Sequence, residues 1–115
     1  MYLMVLVLKD NSYLNLIISV FMELGIYNMF YTDITSFEHI ITYDIPIFFK
    51  KNNFASNSIN GKLILGIVDD EEIIEKVKKI LNSSEYELID KGILNLFLLN
   101  IEKFYGNLFS NSGDF

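Results

Sequence analysis

The sequence predicts an α+β domain in which a four-stranded antiparallel sheet carries two helices on one face. Three observations predict it. The chain has 115 residues, 51% of them hydrophobic, which suits one domain with a core of its own. A weak internal repeat lays Val7–Phe21 over Ile67–Leu81 at a shift of 60 residues, and each copy reads as strand, acidic cap and helix. Finally, each helical pattern is followed by a further apolar run of strand length, so the unit strand–helix–strand occurs twice.

The elements follow in order. Tyr2–Lys9 is a nearly unbroken apolar run, the pattern of a central strand covered on both faces. Ser12 is placed to cap a helix whose apolar positions Leu14, Ile17, Ile18 and Phe21 keep a helical period. Gly25 is placed to stop that helix, because glycine accepts the left-handed conformation that ends helices. Tyr27–Ile34 reads as the second strand and Lys62–Val68 as the third. Asp69 then offers an N-cap and Glu72 a capping-box partner. Ile73, Ile74, Val77, Ile80 and Leu81 form one face of the second helix, with Glu72–Lys76 and Glu75–Lys79 as i,i+4 pairs on the other. Leu94–Ile101 is the fourth strand. Right-handed crossovers turn this order into a ferredoxin-like βαββαβ domain over residues 1–106, with 107–115 as a tail. The face of such a sheet away from its helices is bare. The mean hydropathy of +0.32 is high for a lone domain, so other copies are expected to cover that face.

Composition excludes several functions. There is no cysteine, which removes thiol catalysis, disulfides and thiolate metal sites. Arginine is absent, the net charge is −6 and no basic stripe occurs, so nucleic acid is not an expected partner. The apolar N-terminus ends at Lys9 and Asp10 without the basic start and small-residue cleavage site of a signal peptide. The next apolar run breaks at Glu23, short of the ~20 residues of a membrane span. A cytoplasmic protein without direct membrane insertion is expected.

About 27 residues, Thr35–Gly61, separate the second and third strands, where hairpin loops span about 2–5 residues. A long loop at this place, together with "ELGIYNMFYTDI" (Glu23–Ile34), "YDIPIFF" (Tyr43–Phe49) and "GILNLFLLNIEKFYG" (Gly92–Gly106), resembles the nitrogen-regulatory P-II superfamily, and most closely its divergent P-II-like members. The resemblance spans about residues 2–106 and rests on the order and spacing of these stretches. It implies a non-catalytic regulatory or sensor homotrimer acting in signal transduction. The 35–61 segment corresponds to the T-loop, the part that meets a membrane transporter or an enzyme. The resemblance places a small metabolite in the cleft between subunits, lined by Ser36, Phe37, Lys62, Asp90, Lys91 and Gly92. ATP or ADP is the ligand typical of the family. Here, however, "TSFEHI" stands for its glycine-rich, arginine-bearing loop base, "EYELIDKG" for its "T-G-x-x-G-D-G-K" phosphate loop, and Asn100 for a proline. The backbone amides and cations that hold phosphate are thereby lost.

Within the loop, Ile45, Pro46, Phe48, Phe49, Lys50 and Lys51 are the candidate contact residues for a partner or a neighbouring subunit. Burying the two phenylalanines is worth roughly 3–6 kcal/mol. Tyr43 is a modification site by analogy only. His39 is the sole histidine, and with Asp33, Glu38 and Asp44 it supplies too few ligands for zinc, so no metal site is expected. Asp69, Asp70, Glu71 and Glu72 are explained by capping and by the helix dipole. Two other readings share the architecture: a CutA-like trimeric ion-binding protein, and an ACT-like amino-acid sensor that would not need so long a loop. An acylphosphatase-like enzyme fails for want of arginine, and no catalytic constellation is expected.

Overall fold

Strand β1 (Tyr2–Leu8) buries Met4, Leu6 and Leu8 completely, and these alternate positions form the spine of the core. A computed structural model describes residues 1–37 and 60–107. Within them the chain is an α+β fold of four antiparallel strands and two helices: β1, α1 (Leu14–Glu23), β2 (Met29–Thr35), β3 (Asn60–Val68), α2 (Glu71–Leu81) and β4 (Leu94–Asn100). The sheet order is β2-β3-β1-β4, so the most apolar strand is indeed a central one. Opposite residues share a face: Leu6 pairs with Ile64 and Leu96, and Ile64 pairs in turn with Tyr31.

Ile17, Val20 and Phe21 of α1 and Ile74, Val77 and Leu81 of α2 join Met4, Leu6 and Leu8 in one cluster, so both helices pack on the same face of β1. The entry to α1 differs from expectation. Asp10, not Ser12, is the cap: its Oδ1 accepts from the Ser12 amide at 3.0 Å and the Ser12 hydroxyl at 2.7 Å, ahead of a short 3-10 turn at Asn11–Tyr13. These two bonds stabilise the charged form and hold the Asp10 carboxyl below its ordinary range. The exit is as expected. Gly25 has φ +77, its amide bonds the Met22 carbonyl, and the Ile26 amide bonds the Phe21 carbonyl at 2.8 Å, closing the helix with buried Ile26 against it.

At α2 the cap is Asp70, which accepts from the Glu72 amide at 2.8 Å, one residue later than Asp69. Glu75 pairs with Lys78 at 3.6 Å instead of Lys79. Strand β2 starts at Met29 instead of Tyr27, because the helix-ending turn reaches into Ile26.

Candidate functional site

Strand β2 lies at the edge of the sheet, and its helix-side residues are not fully roofed. Tyr31 is 56% exposed, and Tyr27, ahead of the strand, is 65% exposed. Alternation along β2 and β3 places Met29, Tyr31 and Asp33 on the helix side beside Gly66, Ile64 and Lys62. Opposite them, Leu14, Ile18 and Met22 recur at four-residue steps along α1. Between these walls runs a groove of about 290 Å³, floored by the buried Ile17, Phe21 and Ile64. Gly66 lets β2 pack close on β3, since a Cβ there would overlap the Met29 sulfur and the Asn28 carbonyl oxygen.

Lys62 stands at the end of this wall. Its side chain is only 17% exposed, because it points to the helix side next to Leu8. The ammonium pairs with Asp33 Oδ1 and sits 5.6 Å from the centre of the Tyr31 ring, within cation–π range. The aspartate's side chain is 78% exposed. The expected role of Lys62 as a ligand cation thus meets a cation already paired by an accessible carboxylate.

The other predicted cleft residues are held by different elements. Asp90 is clasped to Asn82 by two bonds: its amide donates to Asn82 Oδ1 at 3.0 Å and its Oδ1 accepts from Asn82 Nδ2 at 3.2 Å. Lys91 reaches Glu87 at 3.9 Å, and Gly92 has φ +74 in the turn into β4. Ser36 and Phe37 follow the end of β2, with Phe37 83% exposed. Lys62 lies roughly two strand spacings, ~10 Å, from Leu94 at the same end of the sheet, with Gly92 two residues before Leu94, and neither Lys62 nor Gly92 lines the α1–β2 groove. Ile45, Pro46, Phe48, Phe49, Lys50 and Lys51, with His39 and Tyr43, lie outside the described residues.

The acidic run at α2 acts through hydrogen bonds. Asp70 caps the helix, and Glu71 accepts from the Tyr2 hydroxyl, which holds that phenol above its ordinary range. Among the described residues no three acidic or histidine side chains gather as a metal site, and no helix is long and apolar enough to cross a membrane.

The groove itself was not foreseen from the sequence. Its signal was available: α1 is apolar beyond its core stripe, with Leu14, Ile18 and Met22 repeating beside Ile17 and Phe21.

The opposite face of the sheet is the second candidate surface. Register places Phe30, Leu65, Val5 and Phe97 in one row across all four strands, and Ile67, Leu3 and Leu99 in the next. Phe30, Phe97 and Leu99 are each more than half exposed. No charged side chain of the described strands belongs to this face, whose polar members are Thr32 and Asn95, whereas the solvated face of an antiparallel sheet is ordinarily the polar one. Neither protein families nor curated proteins show a match to this chain.

Proposed function

We propose that the chain is a non-catalytic, P-II-like regulatory or sensor protein that works as a homotrimer and binds a small metabolite or a partner protein. The ferredoxin-like arrangement βαββαβ is compatible with the sheet order β2-β3-β1-β4 and with the helices packed on one face. The observation that carries the reading is the uncharged face around Val5, Leu65, Phe30 and Phe97. An apolar face of this kind resembles the core of an interface more than a wet surface, since charged residues are depleted at interface centres.

Four strands about 4.8 Å apart, paired over seven residues at about 3.3 Å each, make a rectangle of roughly 19 by 23 Å, or ~440 Å² in projection. That lies within the range of the largest apolar patch a monomer exposes, ~300–600 Å², where such patches often serve function. Sister copies are the occupants that fit best, because an apolar, uncharged surface is complementary to itself. In this reading the 35–61 segment remains available to a transporter or an enzyme. The metabolite sits at the sheet end that carries Lys62 and Gly92, with a neighbouring copy completing the cleft. Nucleotide is not the ligand favoured, because Glu85–Gly92 holds its own clasp and lacks the glycines that cradle phosphate.

Size-exclusion chromatography with light scattering tests the reading. The expected species has three times the 13.4 kDa chain mass across concentrations. A single-chain mass that persists at high concentration refutes it.

A further inference from the structure

We propose that the groove between α1 and β2 binds a small amphipathic carboxylate, with its apolar tail along the groove and its headgroup on Lys62 in place of Asp33. This inference goes beyond the regulatory reading and does not depend on it.

The groove is built for an apolar tail. One wall is the Leu14–Ile18–Met22 stripe of α1, and the other is Met29 and Tyr31 of β2. The floor is already buried, so the shape exists before a ligand arrives. From Leu14 to Met22 the wall is ~12 Å long at about 1.5 Å per residue. Its 290 Å³ is at the small end of ligand sites, which start near ~300 Å³. A single short chain or ring fits these dimensions, and a two-chain lipid does not.

Charge decides which end of the ligand goes where. Both β1 and β2 run antiparallel to β3, so they run parallel to each other and α1 returns against them. The Leu14 end of the groove therefore lies towards Lys62, and the Met22 end towards Glu23 and Tyr27. Lys62 stands at the first end, where a carboxylate takes the place of Asp33, whereas Glu23 follows Met22 at the second end and repels one. Among the described residues Lys62 is the one cation at this end of the groove wall, and it is mostly covered, which suits one carboxylate and not a polyphosphate. Asp33 is exposed enough for water to compete for it throughout, so exchanging it for another carboxylate costs little. The tail's gain is the removal of Met22 and Tyr31 from water, since they are 55% and 56% exposed.

The probe is octanoate, with 1-octanol as the neutral tail. The readout is the methyl NMR spectrum of full-length protein labelled at its methionines. Octanoate is expected to shift Met22 and Met29 saturably and to leave Met4, on the fully buried core spine, unmoved. Lys62→Gln is expected to weaken octanoate at least tenfold and to leave 1-octanol unchanged. Asp33→Asn removes the competitor without touching Lys62, and is expected to tighten octanoate several-fold but not 1-octanol. Ile18→Asp is expected to abolish both. Absence of saturable shifts at Met22 and Met29, or shifts of equal size at Met4, overturns the site. Octanoate affinity that ignores both Lys62→Gln and Asp33→Asn overturns the headgroup assignment. If Lys62→Gln does not fold, Asp33→Asn decides alone. These spectra are read at a fixed assembly state, so the outcome is separate from the light-scattering result.

Discussion

Replacing Phe97 by alanine removes an aromatic ring from the row Phe30–Leu65–Val5–Phe97 and measures what that row contributes to assembly. Phe97 is 52% exposed in the single chain. A phenylalanine covers about 150–250 Å² when fully buried, so about 80–130 Å² of its surface is left for a neighbour to cover. At about 25 cal/mol per Å² that amounts to ~2–3 kcal/mol per subunit, or a loss of about 30- to 150-fold in association at each interface. The half of the ring already covered by its own sheet contributes to folding as well. Circular dichroism must therefore show the variant folded under the conditions used. Light scattering over a wide concentration range then reads the assembly. The variant is expected to fall to the 13.4 kDa chain mass at concentrations where the parent protein remains associated. Association of Phe97→Ala as strong as the parent's refutes the argument, because no other position on β4 presents so large an apolar area to that face.

Three further outcomes follow from the fold, each measured by urea unfolding at one fixed protein concentration because assembly adds to apparent stability. Ile17→Ala empties a fully buried site between α1 and β1 and is expected to cost about 2–5 kcal/mol; a change below about 1 kcal/mol contradicts the packing. Gly61→Ala drives a Cβ into the Leu8 carbonyl, backbone that cannot swing away, and is expected to cost at least about 1–3 kcal/mol although alanine has no conformational quarrel with a strand. Asp10→Ala removes the cap before α1. The folded Asp10 pKa lies below its unfolded value, so its contribution is fully present above about pH 4 and fades as pH falls through the lower folded value. The stability gap between parent and Asp10→Ala should therefore narrow on acidification from pH 5 downwards, and a gap that widens is the wrong sign.

Much of this fold was legible because its signals are local and redundant. Gly25 ends α1 where the glycine demanded it, and β1 is central as its two-sided apolar run required. The misses have physical causes. Asp69 and Asp70 are both able to cap a helix, and only the backbone path decides; Asp70 has the extended conformation with its carboxylate on the Glu72 amide. Ser12 and Asp10 pose the same choice, and the charged acceptor takes the amide. Candidate-site residues were harder to read. Lys62 was expected as a cation of the inter-subunit cleft, but its covered position depends on strand parity together with pairing to Asp33 across 29 residues of sequence. The α1–β2 groove depends on a helix being apolar over more of its circumference than the sheet beneath it needs. A periodic count sees such a helix only as a well-packed one.

Strand β2 joins the two proposed surfaces. Its odd positions Met29 and Tyr31 line the groove, while Phe30 belongs to the opposite face and still borders the groove's rim. Like β4 it is an edge strand, held by β3 alone among the described strands, and it is the edge that borders α1 across the groove. Any shift of β2 as the tail settles in the groove also moves Phe30, and with it the row that runs through Leu65 and Val5 to Phe97. Binding and assembly then share one free energy, and linkage fixes its bookkeeping: the factor by which octanoate changes association must equal the factor by which association changes octanoate affinity. A groove that fills without altering association separates the two surfaces. A factor different from one that Phe30→Ala returns to one makes β2 the element through which a small acid is sensed.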